Sequence, residues 1–574
     1  MGRLAIALPL PTRTAADGSQ NLSIIARRIE LRCTRAVPGP AAYTGSMPLQ
    51  RLLPPPADTP TTPLHRRWPL YGATASRTIE RRAAAALPAH TLMARAGTAV
   101  ARLARAWQPH ARRVTVLAGG GNNGGDGWFA AALLQRHLGG VPGTQVRVVS
   151  LLSDPTRLPD DARWARATAL EAGVTAVHDL SGLDEGADLV IDAVFGLGLS
   201  RPVTGVALDA LRWLQACPAP TLCVDLPSGL DADSGRWWAD APPHACGPRV
   251  TLALLTLKPG LFTGVGRACV GSALWFDDLG VTATEAPDAW LAWDDAWPQV
   301  PTLRADHASH KGQRGDVLII GGQLPTTGDG IGMTGAALLA GRAALRAGAG
   351  RVYVGLLGDA DTVPAVDPGQ PALMLRTAQA ALQSPLVEQA VVVAGCGGGR
   401  AMADALPPLL ARAPRLVLDA DALNALGAAA AADAAPDPVW ARRRAAGWCT
   451  VLTPHPLEAA RLLGTDSADV QSDRVRAAAT LAQRLGSVVV LKGSGTVIAA
   501  PGVTPIINPS GDGLLATAGT GDVLAGLIGA RLANVHAAPP DVLASAVAQA
   551  VAAHGDLVRY WASRWPPTAT DLVA

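Results

Sequence analysis

The chain has 574 residues, of which 49% are hydrophobic and 17% are charged. This composition is typical of a globular protein and excludes a disordered one, and the length predicts about two to four domains. The net charge is +3, but residues 1–113 hold 17 Arg and four acids and therefore carry +13. This basic stretch lacks interleaved aromatic residues and a recognisable binding module, so we expect no nucleic-acid partner.

The seven cysteines are scattered along the chain and form no CxxC pair and no metal-type cluster with histidine. Such a set predicts reduced thiols in a cytoplasmic protein. No apolar run approaches the roughly 18 residues of a membrane span, so we expect no membrane partner. The Arg-rich start would suit a transit peptide, but we favour a start codon assigned too early. Residues 1–67 are therefore expected to be a disordered or mis-assigned extension.

From Arg113 onward, apolar runs alternate with segments rich in Ala and Leu. The apolar runs of the first half are VTVLAG (114–119), VRVVSLL (146–152), DLVIDAVFG (188–196), TLCVDLPSG (221–229) and VTLALLTL (250–257). Short apolar runs bounded by Gly, Pro or Asp are typical of buried parallel strands. Helices are predicted between them, for example over 128–138 and 209–217. We therefore predict a three-layer α/β/α domain over residues 68–283, with ligands at the carboxyl ends of its strands.

Residues 284–303 are rich in Pro, Trp and Asp, and we predict a linker there. The alternation then restarts. The runs of the second half are DVLIIGG (316–322), RVYVGLL (351–357), AVVVAG (390–395), RLVLDAD (415–421), CTVLTP (449–454) and VVVLKG (488–493). Helices are predicted over 335–348 and 523–533. A second α/β/α domain is therefore expected over residues 304–574.

A glycine-rich loop follows the first predicted strand, in LAGGGNNGGDGWFAAALL (117–134). It contains GxGxxG, which alone is a weak indication of dinucleotide binding. A dinucleotide fold also needs an acid at the end of the next strand, and that strand ends at Ser150 to Leu152 instead. What remains unusual is the set of small polar residues on the loop, Asn122, Asn123 and Asp126, although Asn-Gly and Asp-Gly are also common turn dipeptides.

Two later predicted strands also end in small polar residues beside glycine-rich loops. The first has Asp192, and the second has Asp225 and Ser228 in VDLPSGLDADSG. We expect the three strand ends to converge. Asn123, Asp192 and Ser228 are oxygen ligands suited to K⁺, Mg²⁺ or Ca²⁺, although an aspartate that caps a loop is the alternative. Asp225 is the best candidate acid or base, and Lys258 could face an anion or tune a carboxylate.

The second half contains LKGSGTVI (491–498) and NPSGDGLLATAGTGDVLAG (508–526). Backbone N–H groups at a glycine-rich helix start form an anion site, and Lys492 adds a positive charge. Asp522, among the first helical residues, could take a proton from a hydroxyl as a phosphoryl group arrives. A turn with an N-capping acid is the simpler alternative. Upstream, His455 and Glu458 in LTPHPLE could contact a ligand and order water around Mg²⁺, or could simply begin a helix.

The first-half motifs GGGNNGGDG, VIDAVFGLGLSRPVTG, DLPSGLDADSG and TLKPGLFTG resemble the NAD(P)H-hydrate epimerase family in order and spacing. The resemblance implies a Rossmann-like fold and interconversion of the two epimers of hydrated NADH and NADPH. It also implies that Asp225 is catalytic and that Asn123, Asp192 and Ser228 hold K⁺. The hydrate would contact Asn122, Asn123, Gly124, Gly125, Asp126, Gly196, Leu197, Gly198, Leu199, Ser200, Arg201, Pro202 and Asp225.

The second-half motifs HKG, GAALLAGRAALRAGAG, LDADALN, TPHPLE, LKGSGT and GTGDVLAG resemble the ADP- or ATP-dependent NAD(P)H-hydrate dehydratase family, which has a ribokinase-like fold. The resemblance implies Asp522 as the base, nucleotide contacts from Lys492, Gly493, Ser494, Gly495, Thr496 and Gly521, and hydrate contacts from Ala336, Gly399, His455 and Asp522. Two departures concern the substrate side. Residues 395–399 read Gly-Cys-Gly-Gly-Gly where the family usually has Gly-Pro-Gly-Leu-Gly, and Ala372 stands where an acid is usual.

Together the two resemblances imply a bifunctional repair enzyme for NADHX and NADPHX. It would use ADP as phosphoryl donor with Mg²⁺, release AMP and phosphate, and form a homo-oligomer. A small-molecule kinase of the ribokinase superfamily is the enzymatic alternative, but it leaves the first domain unexplained. A first domain that only senses dinucleotides is the non-enzymatic alternative, and it predicts a lost acid or cation site. Asn123, Asp126, Asp192, Asp225 and Ser228 are all present.

Overall fold

The computed structural model describes residues 49–53, 67–152, 154–180, 186–240, 246–292, 307–308, 310–325, 332–432, 438–535, 538–559 and 561–574. Within these ranges no helix is long and apolar enough to cross a membrane. Two sheets of eight and eleven strands organise the chain.

The first sheet contains the strands β1 (Gln50–Leu53), β3 (Arg113–Ala118), β4 (Gln145–Ser150), β5 (Thr175–Val177), β6 (Leu189–Ala193), β7 (Thr221–Val224), β8 (Arg249–Leu254) and β9 (Ala273–Asp277). Their order is β1-β9-β8-β7-β6-β3-β4-β5, and only β1 runs antiparallel to its neighbour. The chain moves outward from β3 in one direction and then returns at β6 to build the other half. The carboxyl ends of β3 and β6 therefore form a switch point, where α/β sheets bind ligands.

Helices of the first domain are α1 (Ala73–Ala86), α2 (Thr91–Trp107), α3 (Asn122–Leu138), α4 (Asp160–Glu171), α5 (Gly205–Ala216) and α6 (Gly266–Cys269). Strand residues such as Val116, Ile191 and Leu222 are fully buried. Because helices cover the central strands, these read as continuous apolar runs rather than as an alternating pattern.

The second sheet contains β2 (Trp68–Leu70), β10 (Ala289–Leu291), β11 (Asp316–Gly321), β12 (Arg351–Leu356), β13 (Met374–Thr377), β14 (Val391–Ala394), β15 (Arg415–Leu418), β16 (Cys449–Leu452), β17 (Val488–Leu491), β18 (Thr496–Ala500) and β19 (Val503–Asn508). The order is β13-β12-β11-β14-β15-β16-β17-β18-β19-β10-β2. Strands β11 to β17 pair in parallel, and β18 is antiparallel to both of its neighbours. The switch point lies between β11 and β14.

Helices of the second domain are α7 (Thr334–Arg346), α8 (Ala378–Gln383), α9 (Leu386–Gln389), α10 (Met402–Arg412), α11 (Ala420–Ala432), α12 (Pro438–Ala445), α13 (Pro456–Leu463), α14 (Ser467–Ser472), α15 (Arg474–Leu485), α16 (Thr520–Ala533) and α17 (Pro540–Asp556). The apolar runs predicted as strands and the segments predicted as helices in both halves occupy those elements.

The expected domain boundaries differ from the structure in three places. The expected linker contains β10, which pairs in parallel with β19. Strand β2, expected in the first domain, pairs with β10 and so completes the second sheet. Within the expected disordered extension, β1 pairs with β9 of the first sheet. Burial explains each pairing, because Leu52, Leu70 and Leu291 are 3%, 0% and 0% exposed. Residues 1–48 and 54–66 of the extension lie outside the described residues.

Candidate active sites

The glycine-rich loop between β3 and α3 brings backbone very close to backbone. A Cβ atom at Gly119 would lie 2.0 Å from the Val194 carbonyl oxygen, and one at Gly124 would lie 2.0 Å from the Gly119 carbonyl oxygen. Gly124 and Gly125 are buried, and a Cβ at Gly125 would touch Met93. These glycines therefore let α3 begin directly at the strand ends, and their contribution to a site comes from the backbone.

The polar residues of that loop point toward the neighbouring strand ends. Asn123 lies beside Gly196, where a Cβ would be 3.2 Å from its amide oxygen. Asn122 is exposed and donates to Glu80 at 3.3 Å. Asp126 is half-buried, and its carboxyl pKa is raised well above the ordinary value by burial and then by the negative charges of Asp225 and Glu80. The loop thus presents the Asn123 amide to Gly196 and carries, in Asp126, a carboxyl group with a raised pKa.

Asp192 and Ser228 bind each other across β6 and β7. Ser228 donates to Asp192 through its hydroxyl at 2.5 Å and through its backbone N–H at 2.9 Å, and both residues are 2% exposed. The Ser228 hydroxyl oxygen also accepts from the Phe195 N–H at 2.8 Å. The predicted convergence of these two strand ends is present in the structure.

The predicted cation ligands fit a hard cation in their chemistry. Asp192, Ser228 and Asn123 all carry oxygen ligands of the kind that hard cations prefer. Among the described residues, the Asn123 amide nitrogen is buried with no hydrogen-bond partner. Which end of an amide carries oxygen is assigned from its partners, so a cation could satisfy this side chain in its other orientation.

Asp225 and Lys258 form a buried ion pair at the ends of β7 and β8. The Lys258 ammonium donates to Asp225 Oδ1 and, at 2.8 Å, to the Leu254 carbonyl oxygen. Asp225 accepts from the Leu254 N–H at 3.1 Å and has a left-handed backbone, with φ of +65°. A non-glycine residue in this region is strained and commonly marks a functional position. The pair holds Asp225 at the switch point with its charge compensated.

The loop after β6 forms the outer wall of this centre. Leu199 is 8% exposed and anchors the loop, whereas Gly198, Ser200, Arg201 and Pro202 are exposed. Arg77 of α1 donates to the Leu197 carbonyl oxygen at 3.1 Å and ties the loop to that helix. Of the residues expected to bind the hydrate, the structure groups Asn123, Asp126, Gly196 and Asp225 around the strand ends and places 198–202 at the rim.

In the second domain, Asp522 stands in the first turn of α16, after Gly519 with φ of +89°. Burial and the nearby Asp419 carboxylate raise the pKa of Asp522 to about 6, while the Cys396 thiol lowers it. The thiol and the two carboxylates lie within 4.8 Å of one another. A carboxylate with such a pKa at a helix start suits a general base that works near neutral pH.

Lys492 reaches across the sheet to Asp419. The ammonium donates to Asp419 Oδ1 at 2.7 Å, and the Thr453 hydroxyl donates to the same oxygen at 2.7 Å. A Cβ at Gly521 would lie 3.4 Å from the Lys492 Nζ atom and 3.8 Å from Asp419 Oδ2. The lysine, the acid and the start of α16 therefore meet at one point. The predicted grouping of Lys492, Gly521 and Asp522 is present.

His455 and Glu458 form a reciprocal cap at the start of α13. His455 Nδ1 accepts from the Leu457 N–H at 3.1 Å and from the Glu458 N–H at 3.3 Å, and Glu458 accepts from the His455 N–H at 2.8 Å. The His455 ring is 46% exposed, so it can still contact a ligand. Glu458 is 4% exposed, and burial raises its pKa to about 7. Its capping role leaves Asp419, with Oδ2 toward Gly521, better placed for Mg²⁺.

Residues 395–399 turn tightly between β14 and α10. Gly395, Gly397 and Gly399 have φ of +113°, +60° and +54°, which glycine adopts readily. The two residues of this loop that differ from the usual family sequence, Cys396 and Gly398, lie between these three glycines. Ala336 packs against Gly397, and the Gly399 N–H donates to Asp421 at 2.8 Å. The loop thus places Ala336 beside Gly397 and Gly399 beside Asp421, in the turn that also holds Cys396.

The sequence reasoning did not assign Asp419 and Cys396 to the site. Asp419 ends a predicted strand in LDADALN, a position that it shares with the assigned acids Asp192 and Asp225. Its strand-end position was therefore a usable indication. Nothing local marks Cys396, whose contact with Asp522 depends on how α16 packs against β14.

Comparison with known proteins assigns each half of the chain to a protein family. The family model described as NAD(P)H-hydrate dehydratase matches residues 317–572, and the one described as YjeF-related protein N-terminus matches residues 89–260. The bifunctional NAD(P)H-hydrate repair enzyme Nnr of Escherichia coli is 36% identical over 80% of this chain and 86% of its own length. The ADP-dependent (S)-NAD(P)H-hydrate dehydratase of Neisseria meningitidis is 42% identical over 42% of this chain and 75% of its own length.

A solved ADP/ATP-dependent NAD(P)H-hydrate dehydratase from Bacillus subtilis, co-crystallized with ATP and Mg²⁺, is 30% identical, with coverage of 47% and 90% of the two chains and a TM-score of 0.38.

Two α/β domains, each with a lysine–aspartate pair at its strand ends, define a two-centre enzyme. The chain belongs to the family of bifunctional NAD(P)H-hydrate repair enzymes. The predicted family, fold class and pairing of an isomerase with a lyase are confirmed. The residue roles, the bound ions, a homo-oligomeric state, the absence of nucleic-acid and membrane partners, and a cytoplasmic location stay predictions.

Proposed function

We propose that the first domain interconverts R- and S-NAD(P)HX and that the second dehydrates S-NAD(P)HX to NAD(P)H, converting ADP to AMP and phosphate. The observation that carries the proposal is Asp522, a base with a pKa of about 6 placed at a helix start beside Lys492. The named specificity of the Neisseria meningitidis relative for ADP and for the S-epimer supports the choice of donor and epimer.

The dehydration begins with phosphoryl transfer. Asp522 takes the proton of the ring hydroxyl, whose oxygen bonds to the β-phosphorus of ADP while the bridging oxygen leaves with AMP. Lys492, the N–H groups of Gly493, Ser494, Gly495 and Thr496, and Gly521 at the start of α16 would hold the phosphates. Mg²⁺ would neutralise phosphate charge, with Asp419 as its ligand. Ala336, Gly399 and His455 would face the hydrate.

The second step needs no further donor. Phosphate leaves from carbon 6 with the electron pair of the C–O bond, and the ring nitrogen compensates the resulting charge. Loss of a proton from carbon 5 then restores the ring double bond, so the product is NADH or NADPH and the atoms balance.

The epimerisation uses the acid and base of the first centre. The hydroxyl-bearing carbon 6 is next to the ring nitrogen, so its C–O bond can break with help from the nitrogen lone pair while Asp126, whose pKa is raised, protonates the departing hydroxyl. Asp225, compensated by Lys258, then takes a proton from the water as its oxygen bonds to the other face of carbon 6, and the product is the other epimer. Asn122, Asn123, Gly124 and Gly125 would contact the hydrate from the loop start. The second wall would be residues 196–202, and K⁺ would lie at Asn123, Asp192 and Ser228.

The test is NADH formation at 340 nm from mixed NADHX epimers with ADP and Mg²⁺. Wild type should convert the whole mixture, Asp522→Asn should convert none, and Asp225→Asn should convert the S-epimer quickly and the remainder slowly. Asp277→Asn is the matched control, because burial also raises the pKa of Asp277 to about 6 and it lies outside both centres. A wild-type protein that makes no NADH with ADP or ATP would favour the small-molecule kinase.

A further inference from the structure

The nucleotide loop Lys492–Thr496 of the second domain rests directly on the first domain. Gly495 has φ of +64°, and a Cβ there would lie 1.9 Å from the Phe262 carbonyl oxygen and 2.8 Å from the Thr263 Cα. Phe262 and Thr263 are both fully buried. They belong to the segment that follows Lys258 of the first centre. No side chain other than hydrogen fits at position 495 while the two domains stay in this contact.

A buried arginine also connects the nucleotide loop to the first domain. Arg474, the first residue of α15, is 1% exposed. Its Nη2 donates to the Leu491 carbonyl oxygen at 3.0 Å and to the Lys492 carbonyl oxygen at 3.1 Å. Its Nε donates to the Thr263 hydroxyl at 3.1 Å. One planar guanidinium therefore joins the backbone at the start of the loop to a side chain of the first domain.

These contacts act on the part of the loop that matters for phosphate binding. The carbonyl held by Arg474 is that of Lys492 itself, so the guanidinium fixes the backbone from which the ammonium extends. Gly493, with φ of +135°, lies against the same group, since a Cβ there would be 3.0 Å from Arg474 Nη2. A rigid backbone keeps the loop N–H groups aimed without ordering cost when the phosphates arrive.

We propose that Arg474 and Thr263 are positioning residues for the nucleotide loop, so that ADP binding in the second domain depends on a hydroxyl of the first. The proposal rests on the nucleotide role of Lys492–Thr496 given above. Neither side chain needs to touch the nucleotide.

The test is ADP binding measured by calorimetry on the full chain, together with steady-state kinetics. Thr263→Val removes the hydroxyl and leaves a buried guanidinium N–H unpaired. The Kd for ADP should rise about tenfold, or about 1.4 kcal/mol. The kcat at saturating ADP and the KM for the hydrate should stay within about twofold, because a loss of binding shared by ground state and transition state raises KM alone. Arg474→Lys should raise the Kd for ADP similarly. Thr263→Ser keeps the hydroxyl and should leave the Kd at its wild-type value.

A second buried arginine–threonine pair in the second domain provides a matched control. Arg443 is 2% exposed, donates through Nε to the Thr450 hydroxyl at 2.9 Å and through Nη1 to the Leu410 carbonyl oxygen at 2.8 Å. Thr450→Val therefore breaks the same kind of bond away from the loop and should leave ADP affinity unchanged. An equal rise in Kd for Thr450→Val and Thr263→Val, or no rise for Thr263→Val and Arg474→Lys, overturns the proposal. Wild type that binds neither ADP nor ATP overturns the nucleotide role itself.

Discussion

The two centres use the same ion pair in opposite ways. In the first centre the Lys258 side chain is 1% exposed and its partner Asp225 is 11% exposed. In the second centre Lys492 is 20% exposed and its partner Asp419 is 2% exposed. The first pair therefore offers a carboxylate to a ligand, and the second offers an ammonium. In the proposed function, one motif at the ends of parallel strands serves proton transfer in one domain and phosphate binding in the other.

Removing the lysine of the first pair should have the largest effect. Lys258→Met leaves Asp225 without its compensating charge, and the epimerase rate should fall by about a hundredfold or more. Dehydration of the S-epimer should continue at its normal rate, so NADH formation from mixed epimers becomes biphasic at 340 nm. Equal loss of both phases would show a folding defect and would contradict this view of the pair.

Removing the lysine of the second pair should weaken ADP binding. Lys492→Met should raise the Kd for ADP by about a hundredfold, which is about 2.7 kcal/mol, because the ammonium itself faces the phosphates. It also leaves Asp419 buried without its cation, at a cost of about 3–5 kcal/mol of unfolding free energy.

The double variant Lys492→Met with Asp419→Asn separates these two effects. It should recover much of the stability in a denaturant titration and none of the ADP affinity. Recovery of affinity together with stability would mean that Lys492 is structural rather than a phosphate ligand.

The two activities should respond to pH in opposite directions. If Asp522 is the proposed base, with its pKa of about 6, kcat/KM of the dehydratase should fall about tenfold per pH unit below that value. If Asp126 is the proposed acid, its raised pKa means that the epimerase should lose activity as the pH rises past that pKa. Rate profiles of the two reactions measured separately on one preparation check this. Parallel profiles would contradict the assignment of base and acid.

The raised pKa of Asp522 also predicts how the free energy of unfolding changes with pH. The folded-state pKa of Asp522 lies above the ordinary value of 3.8, so the folded chain binds the proton more tightly. Stability should therefore fall as the pH rises from about 4 to about 6, and Asp522→Asn should remove part of that fall. A variant whose unfolding free energy follows the wild-type pH dependence throughout would contradict the raised pKa.

Much of the fold was predictable because buried parallel strands read as apolar runs. Strands β2 and β10 were missed for a physical reason. Each has three residues, too few to show a period. Strand β10 is held by pairing with β19, and β2 by pairing with β10. Their place in the second sheet is decided by tertiary contact and not by local preference.

The candidate sites were predictable to the extent that they lie at strand ends. Asp192, Asp225, Ser228 and Lys492 all lie at or just after the ends of apolar runs, and the topology brings them to the carboxyl edges of the two sheets. The partner of Lys492 was missed because it lies 73 residues earlier and two strands away in the sheet. Strand order determines that pairing, and a single sequence does not display strand order.

The smallest predicted effect concerns Cys396, which has no counterpart in the first centre. Its thiol bonds to the Asp522 carboxyl and lowers its pKa against the larger effect of burial. Cys396→Ala should therefore raise that pKa by less than about one unit, moving the acid limb of the dehydratase profile to higher pH. At pH 6.5 the rate should drop by up to about threefold and recover above pH 8, while epimerisation stays unchanged. Cys396→Ser keeps a hydroxyl donor and should behave as wild type. If Ala and Ser variants lose the same activity at every pH, Cys396 only fills space, and the proton affinity of the base is decided by burial and Asp419.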